Sequence, residues 1–85
     1  MKMNKIPVPE IMRRFSNLLW CHSPVTWIMK TTYFQGTLFV SMQIPSDDDK
    51  DKIIRRSFFL KDIKRQENNI HELSADCVDE MKRSL

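Results

Sequence analysis

Apolar residues recur first at helical spacing along the 85-residue chain. Over residues 9–22 they fall within about 120° of a helical wheel, which predicts a helix with one apolar stripe. The stripe comprises Ile11, Met12, Phe15, Leu18, Leu19 and His22. Pro9 and Glu10 favour a helix start, because proline fits the first turn and a carboxylate there interacts favourably with the helix dipole. Pro24 predicts the end, since the residue before a proline avoids the helical region.

Three segments after this helix have the pattern of β-strands. Residues 25–34 are rich in β-branched and aromatic side chains, and residues 37–44 alternate strictly between apolar and other positions. Gly36 lies between them, where a tight hairpin needs a positive φ, and it is the only glycine of the chain. Residues 53–60 predict a third strand, with Ile54, Phe58 and Leu60 on one face and Arg55 and Ser57 on the other.

The C-terminal part of the chain returns to helical spacing. Its apolar stripe comprises Ile70, Leu73, Cys77, Val78, Met81 and Leu85, and its polar face comprises Glu72, Asp76, Asp79 and Arg83. Asn69 and Glu72 resemble a capping box at the start of this helix. Because Ile63 nearly extends the same stripe, the helix could instead begin as early as Lys61 or Asp62.

The elements follow in the order α-β-β-β-α. Each helix has one apolar stripe and the sheet has one strongly apolar face, so we expect an α+β two-layer sandwich. In this fold a three-stranded antiparallel sheet carries both helices on one face. The other face, with residues such as Phe39, Ser41, Arg55 and Ser57, stays uncovered. With 41% hydrophobic and 29% charged residues, we expect residues 1–85 to form one domain.

Composition also bears on the location of the protein. The N-terminal residues show no apolar run of the length that a signal peptide needs. Polar residues interrupt residues 25–44, which therefore fall short of the roughly 18 apolar residues that span a membrane. We expect a soluble, cytoplasmic protein that does not act at a membrane. In that reducing compartment Cys21 and Cys77 are expected to be free thiols.

The residues that could carry catalysis show no recognisable arrangement. Cys21 and His22 are adjacent, so on a helix they point about 100° apart and do not face each other as nucleophile and base. A zinc site would need both of them with His71 and Cys77, at a spacing typical of no known zinc motif. His71 and Ser74 lie on adjacent turns without a glycine-rich oxyanion loop. One glycine cannot form a phosphate-binding loop. We expect no enzyme activity, cofactor or metal.

An acidic turn interrupts this basic chain of net charge +3. It contains Asp47, Asp48, Asp49 and Asp51. A calcium-binding loop starting at Asp47 would need glycine and glutamate where the chain has Lys52 and Phe58. Two interpretations remain. The turn is either a solvated hairpin tip or a docking loop that meets a basic partner surface, while Arg55 and Arg56 meet an acidic one.

Trp20 is the strongest candidate for contact with a partner. It stands roughly 180° from Ile11 on the helical wheel, with Arg13 and Asn17 on the face toward solvent. Tryptophan and arginine are enriched at interface hot spots. The alternative is that the N-terminal arm or the first strand buries Trp20 within the domain. The pattern favours a small non-catalytic regulator, an inhibitor or adaptor that occupies a surface of a larger protein, of the kind that phages and other mobile elements encode.

Two other functions remain open. Basic residues could bind nucleic acid if the fold brings them together: Arg13, Arg14, Arg55, Arg56, Lys61, Lys64 and Arg65. The element order is similar to that of the double-stranded RNA-binding domain, a likeness of fold alone, since the C-terminal helix begins without a lysine cluster. An unpaired edge strand could also join two copies into a homodimer.

Overall fold

A computed structural model describes residues 8–46 and 50–85 of the chain. Its elements are helix α1 (Glu10–His22), strands β1 (Ile28–Phe34), β2 (Thr37–Ile44) and β3 (Lys52–Phe59), helix α2 (Leu60–Arg65), a 3-10 turn (Glu67–Asn69) and helix α3 (Ile70–Arg83). Helices precede and follow a three-stranded sheet, so the predicted α+β fold is confirmed.

The sheet is antiparallel throughout, with β2 between β1 and β3. The hairpin joining β1 to β2 turns at Gln35 and Gly36, which have φ angles of 49° and 79°. Two successive positive φ angles match the right-handed twist of paired strands, so a two-residue turn closes the hairpin. The turn sets the register in which Phe34 lies opposite Thr37. The predicted hairpin at Gly36 is confirmed.

One face of the sheet is covered by the helices. Along β2, Leu38, Val40, Met42 and Ile44 are buried, because alternate side chains of a strand point to the same side. The helices contribute Met12, Phe15, Leu19, Ile63, Ile70, Val78 and Met81 to the same core. The rings of Phe15 and Phe58 meet edge to face, with their centroids 4.9 Å apart. Helices and sheet therefore share one hydrophobic core on this side.

The region between α1 and β1 differs from the prediction. The first strand begins at Ile28 rather than at Val25, because the Trp27 amide donates to the Pro24 carbonyl and closes a turn there. Val25 is almost fully exposed in this turn. His22 was placed on the apolar stripe, but it is exposed in the last turn of α1, where the helix runs past the core.

The C-terminal helical region is divided into two helices. The first of them begins at Leu60, close to the earlier of the two predicted starts. The Leu60 amide donates to the Gly36 carbonyl at 2.8 Å. This bond ties α2 to the β1–β2 hairpin. The predicted capping box does not form, since Asn69 makes no side-chain capping hydrogen bond. The 3-10 turn directly precedes α3.

Candidate binding site on the open sheet face

The sheet face that points away from the helices is defined by the strand register. Residues directly opposite each other on paired strands share a face, so each strand contributes four outward positions, twelve in all. They are Ile28, Lys30, Thr32 and Phe34 on β1, Thr37, Phe39, Ser41 and Gln43 on β2, and Ile53, Arg55, Ser57 and Phe59 on β3. We call this surface the open face. Within the part of the chain that the structure describes, no helix packs on it.

Large apolar side chains are exposed on the open face. They are Ile28, Phe34, Phe39, Ile53 and Phe59, each between 47% and 55% accessible to solvent. Single exposed apolar residues are ordinary on protein surfaces, but five on one face of one sheet are a patch. A patch of this kind is typical of a surface that contacts another molecule.

The open face is organised in rows that cross the three strands. From the hairpin end, the rows are Phe34–Thr37–Phe59, Thr32–Phe39–Ser57, Lys30–Ser41–Arg55 and Ile28–Gln43–Ile53. We call the first the aromatic row, the third the basic row and the fourth the isoleucine row. Phe39 lies on the central strand, between the aromatic and basic rows. Consecutive rows are about 7 Å apart, because each step is two residues along a strand.

A shallow depression lies over the basic row. Its volume is about 340 Å³, and the residues of the open face that line it are Lys30, Thr32, Phe39, Ser41, Arg55 and Ser57. No carboxylate is present among the twelve outward positions. At the edge of the isoleucine row, the Gln43 side-chain amide donates to the Asp51 carboxylate at 2.6 Å. The depression therefore combines two cations, three hydroxyl groups and an aromatic ring.

Trp20 lies in the helical layer, on the other side of the sheet from the open face. Its side chain is 64% exposed, which confirms that the outward face of α1 carries it into solvent. Arg13 and Asn17 on α1 are exposed as well. Arg55 belongs to the open face, so the structure does not bring it together with Trp20.

The acidic turn is only partly described. Asp47, Asp48 and Asp49 lie outside the described residues. Asp51 is exposed and accepts the hydrogen bond from Gln43. Arg56 points to the opposite side of β3 from Arg55, and its Nη1 donates to the Arg55 carbonyl at 2.9 Å.

The predicted basic residues are divided between the two layers. Arg13 and Arg14 are exposed on α1. Lys61, Lys64 and Arg65 are exposed on α2, where Arg65 pairs with Asp62 at 3.5 Å. The sheet separates α1 from the side chain of Arg55. The seven residues therefore do not form one continuous basic surface.

The candidate catalytic groups show no nucleophile paired with a base. The Ser74 hydroxyl is buried and donates to the His71 carbonyl at 2.8 Å. Cys21 and His22 are both exposed in the last turn of α1. Burial, followed by repulsion from Glu80 and Asp76, raises the pKa of Cys77 to about 11, so its thiol keeps the proton at neutral pH.

No set of three His, Cys, Asp or Glu side chains is gathered as a metal site within residues 8–46 and 50–85. Over the same residues, no helix combines the length and apolar character needed to cross a membrane.

Sequence reasoning identified only part of the open face. It named Phe39, Ser41, Arg55 and Ser57, but it missed the outward residues of β1 and the ends of β3. A signal for them exists in the sequence. Every second residue of β1 reads isoleucine, lysine, threonine, phenylalanine, and every second residue of β3 reads isoleucine, arginine, serine, phenylalanine. Two strands with the same outward order indicate that their shared face is built as one surface.

Comparison with protein-family models, with curated proteins and with solved structures gives no significant match for this chain.

Proposed function

We propose that this protein binds a larger protein through its open face and acts by occupying that partner's surface, as an inhibitor or adaptor does. The observation that carries the proposal is the exposure of five large apolar side chains on one uncovered face. The face is broad, and its depression of about 340 Å³ is shallow. Such a surface suits contact with another protein surface better than enclosure of a small molecule.

The proposal includes no catalytic step. Among the described residues, the hydroxyl of Ser74 is engaged with backbone and the thiol of Cys77 is protonated at neutral pH. Neither is therefore an activated nucleophile. We place the interaction in the cytoplasm, because Cys21 and Cys77 are both free thiols, which is typical of a reducing compartment.

Binding of single-stranded nucleic acid is the second candidate function. It is favoured by the charge of the open face, which has Lys30 and Arg55 but no carboxylate among its twelve outward positions. Exposed phenylalanines such as Phe39 can stack on bases. This function predicts binding that weakens steeply with salt and does not depend on any protein in the lysate.

Affinity capture tests the first function. The full-length chain is immobilised, a nuclease-treated lysate of the source cells is passed over it, and retained proteins are identified by mass spectrometry. We expect the parent to retain a protein at near-stoichiometric yield. The Phe39→Ser variant should lose it, because this change removes the ring at the centre of the patch.

Trp20→Ser is the matched control, since it also removes an exposed aromatic ring, but from the helical layer. We expect it to retain the same protein as the parent. Retention by Phe39→Ser combined with loss by Trp20→Ser would move the site to α1 and contradict the open-face proposal. An untreated lysate is passed over the chain in parallel, and capture that occurs only without nuclease treatment would favour the nucleic-acid function instead.

A further inference from the structure

The two edge strands present the same outward order of side chains. Strands β1 and β3 run in the same direction, because each is antiparallel to β2. From the isoleucine row toward the hairpin, each presents an isoleucine, a cation, a hydroxyl and a phenylalanine. The cations Lys30 and Arg55 therefore face each other across Ser41. Their Cα atoms are separated by two strand spacings, about 10 Å.

Within residues 8–46 and 50–85, neither cation forms an ion pair. Among the described residues the one ion pair joins Arg65 to Asp62 and involves neither Lys30 nor Arg55. The carboxylate of Asp51, the residue before β3, accepts from Gln43 in the isoleucine row rather than from Lys30 or Arg55. The Thr32, Ser41 and Ser57 hydroxyls line the same depression and can donate hydrogen bonds. The depression thus offers two cations and three hydroxyl donors, with no carboxylate among the outward positions.

We infer that the open face receives an acidic segment of the partner protein, whose carboxylate lies between Lys30 and Arg55 and whose apolar side chains contact the rows on either side. This inference rests on the proposed function, because it states the chemistry of the partner for the same face. A carboxylate matches the two cations in charge, and Arg55 can bind it with two parallel hydrogen bonds. The isoleucine and aromatic rows supply apolar contact about 7 and 14 Å from the basic row.

The charge of the basic row argues against a second copy of this chain as the occupant. Two copies stacked face to face about an axis through the depression would bring both Lys30 and both Arg55 side chains together. Like charges brought together out of water oppose association. A partner that supplies carboxylates avoids this repulsion, whereas a second copy presents no carboxylate at its twelve outward positions.

The arrangement of charge also favours a protein segment over single-stranded nucleic acid. A nucleic acid carries a phosphate at every nucleotide, so it is bound by a groove that stays cationic along its length. Here the one cationic row lies between the isoleucine row on one side and Phe39 and the aromatic row on the other, and the Asp51 carboxylate borders the isoleucine row. This pattern suits a partner segment in which one acidic side chain lies between apolar side chains.

A peptide-display selection tests the inference. A random library of 12-residue peptides is selected on the immobilised full-length chain, and enriched peptides are synthesised with a fluorescent label. We expect them to contain an acidic residue with apolar residues on both sides. Their affinity, measured by fluorescence anisotropy, should fall at least about tenfold for the Lys30→Glu/Arg55→Glu variant, because the carboxylate loses both partners and meets like charges.

Two controls make the charge test specific. The Arg13→Glu/Arg14→Glu variant changes the net charge equally in the helical layer and should bind as the parent does. A peptide in which the acidic residue is replaced by lysine should regain affinity for Lys30→Glu/Arg55→Glu, which a loss of folding could not produce. Circular dichroism confirms that both variants are folded.

The outcomes separate this inference from the function on which it rests. Enriched peptides that lack acidic residues, or that bind equally after charge reversal, would overturn the inference while Phe39→Ser still abolishes binding. If Phe39→Ser also leaves peptide binding unchanged, the open-face function fails as well. If a twelve-nucleotide oligothymidylate bound more tightly than any peptide, both the inference and the proposed function would be overturned. A stable dimer that is seen by light scattering and that peptides do not dissociate would also overturn both.

Discussion

Phe58 and Phe59 are neighbours on β3, yet they belong to opposite sides of the molecule. Phe58 points toward the helices and contacts Phe15 with ring centroids 4.9 Å apart. Phe59 points to the open face and is 51% exposed. The two residues have the same chemistry, so the difference between them comes only from what covers each face of the sheet.

The covered and open faces also differ in how their apolar residues are arranged. On β2 the covered face is continuously apolar, from Leu38 to Ile44, and three helices contribute to the same core. The open face interrupts its apolar residues with a basic row. Continuous apolar burial stabilises a fold, whereas alternating apolar and charged rows favour a particular partner. One face of this small sheet thus stabilises the domain, and we propose that the other serves recognition.

Replacing each phenylalanine by alanine gives the largest test of this comparison. We expect Phe58→Ala to lower the free energy of unfolding by about 2–4 kcal/mol, because it removes a ring packed on the core. Phe59→Ala should lower it by at most about 1 kcal/mol, through lower strand propensity. Urea denaturation followed by circular dichroism measures both values. Equal losses would mean that the open face is packed within the chain, which contradicts its assignment as a free surface.

Thiol reactivity gives a second, smaller test of how closely the helices cover the sheet. Against the ordinary value of 9.0, a pKa of about 11 lowers the thiolate fraction of Cys77 about 100-fold at pH 8. A thiolate with a raised pKa is intrinsically more nucleophilic, which offsets part of the loss in thiolate fraction. We therefore expect Cys77 to be alkylated about tenfold more slowly than an ordinary thiol. Iodoacetamide labelling of Cys21→Ser, followed by mass spectrometry, measures the rate.

An open-face thiol is the matched comparison. Thr32→Cys, made with Cys21→Ser and Cys77→Ser, places a thiol in the exposed row beside Lys30 and should react at least about tenfold faster than Cys77.

The direction in which stability changes with pH follows from the raised pKa of Cys77. The fold favours the protonated Cys77 thiol, so this contribution to stability is complete below pH 9.0 and is lost as the pH rises toward 11. If the alkylation rate of Cys77 levelled off below pH 10, the pKa of its thiol would be lower than about 11. That result would contradict close packing of α3 on the sheet.

Residue periodicity was sufficient to predict the fold, because α1, β2 and α3 each bury a regular stripe. Strict alternation on β2 identified the covered face, and the lone Gly36 identified the hairpin. The boundaries that failed depend on hydrogen bonds that periodicity does not contain. The turn closed by Pro24 and Trp27 shortens β1, and Asn69 does not cap α3 with its side chain.

The candidate site was harder to predict, because it depends on which strands lie side by side. The helical wheel of α1 directs Trp20 toward solvent but leaves open its burial by a neighbouring segment, and the structure shows it exposed. The pairing of Lys30 with Arg55 across Ser41 requires the register of both hairpins, and residues 25 apart in sequence become neighbours across one strand. A single helix or strand contains no information of that kind.

The β1–β2 turn offers the smallest test, and it concerns the register on which the two faces depend. Gly36 has a φ of 79°, and a Cβ added there would meet no atom within 4 Å. Gly36→Ala therefore costs only backbone strain, and we expect it to lower the free energy of unfolding by about 1 kcal/mol. Gln35→Asn is the control, because its φ of 49° suits asparagine, and it should raise stability by about 0.3 kcal/mol. Urea denaturation compares the two. If Gly36→Ala were as stable as the parent, the turn would not require a positive φ. A different turn would shift the register by a residue, and a one-residue shift exchanges every outward side chain of a strand for an inward one.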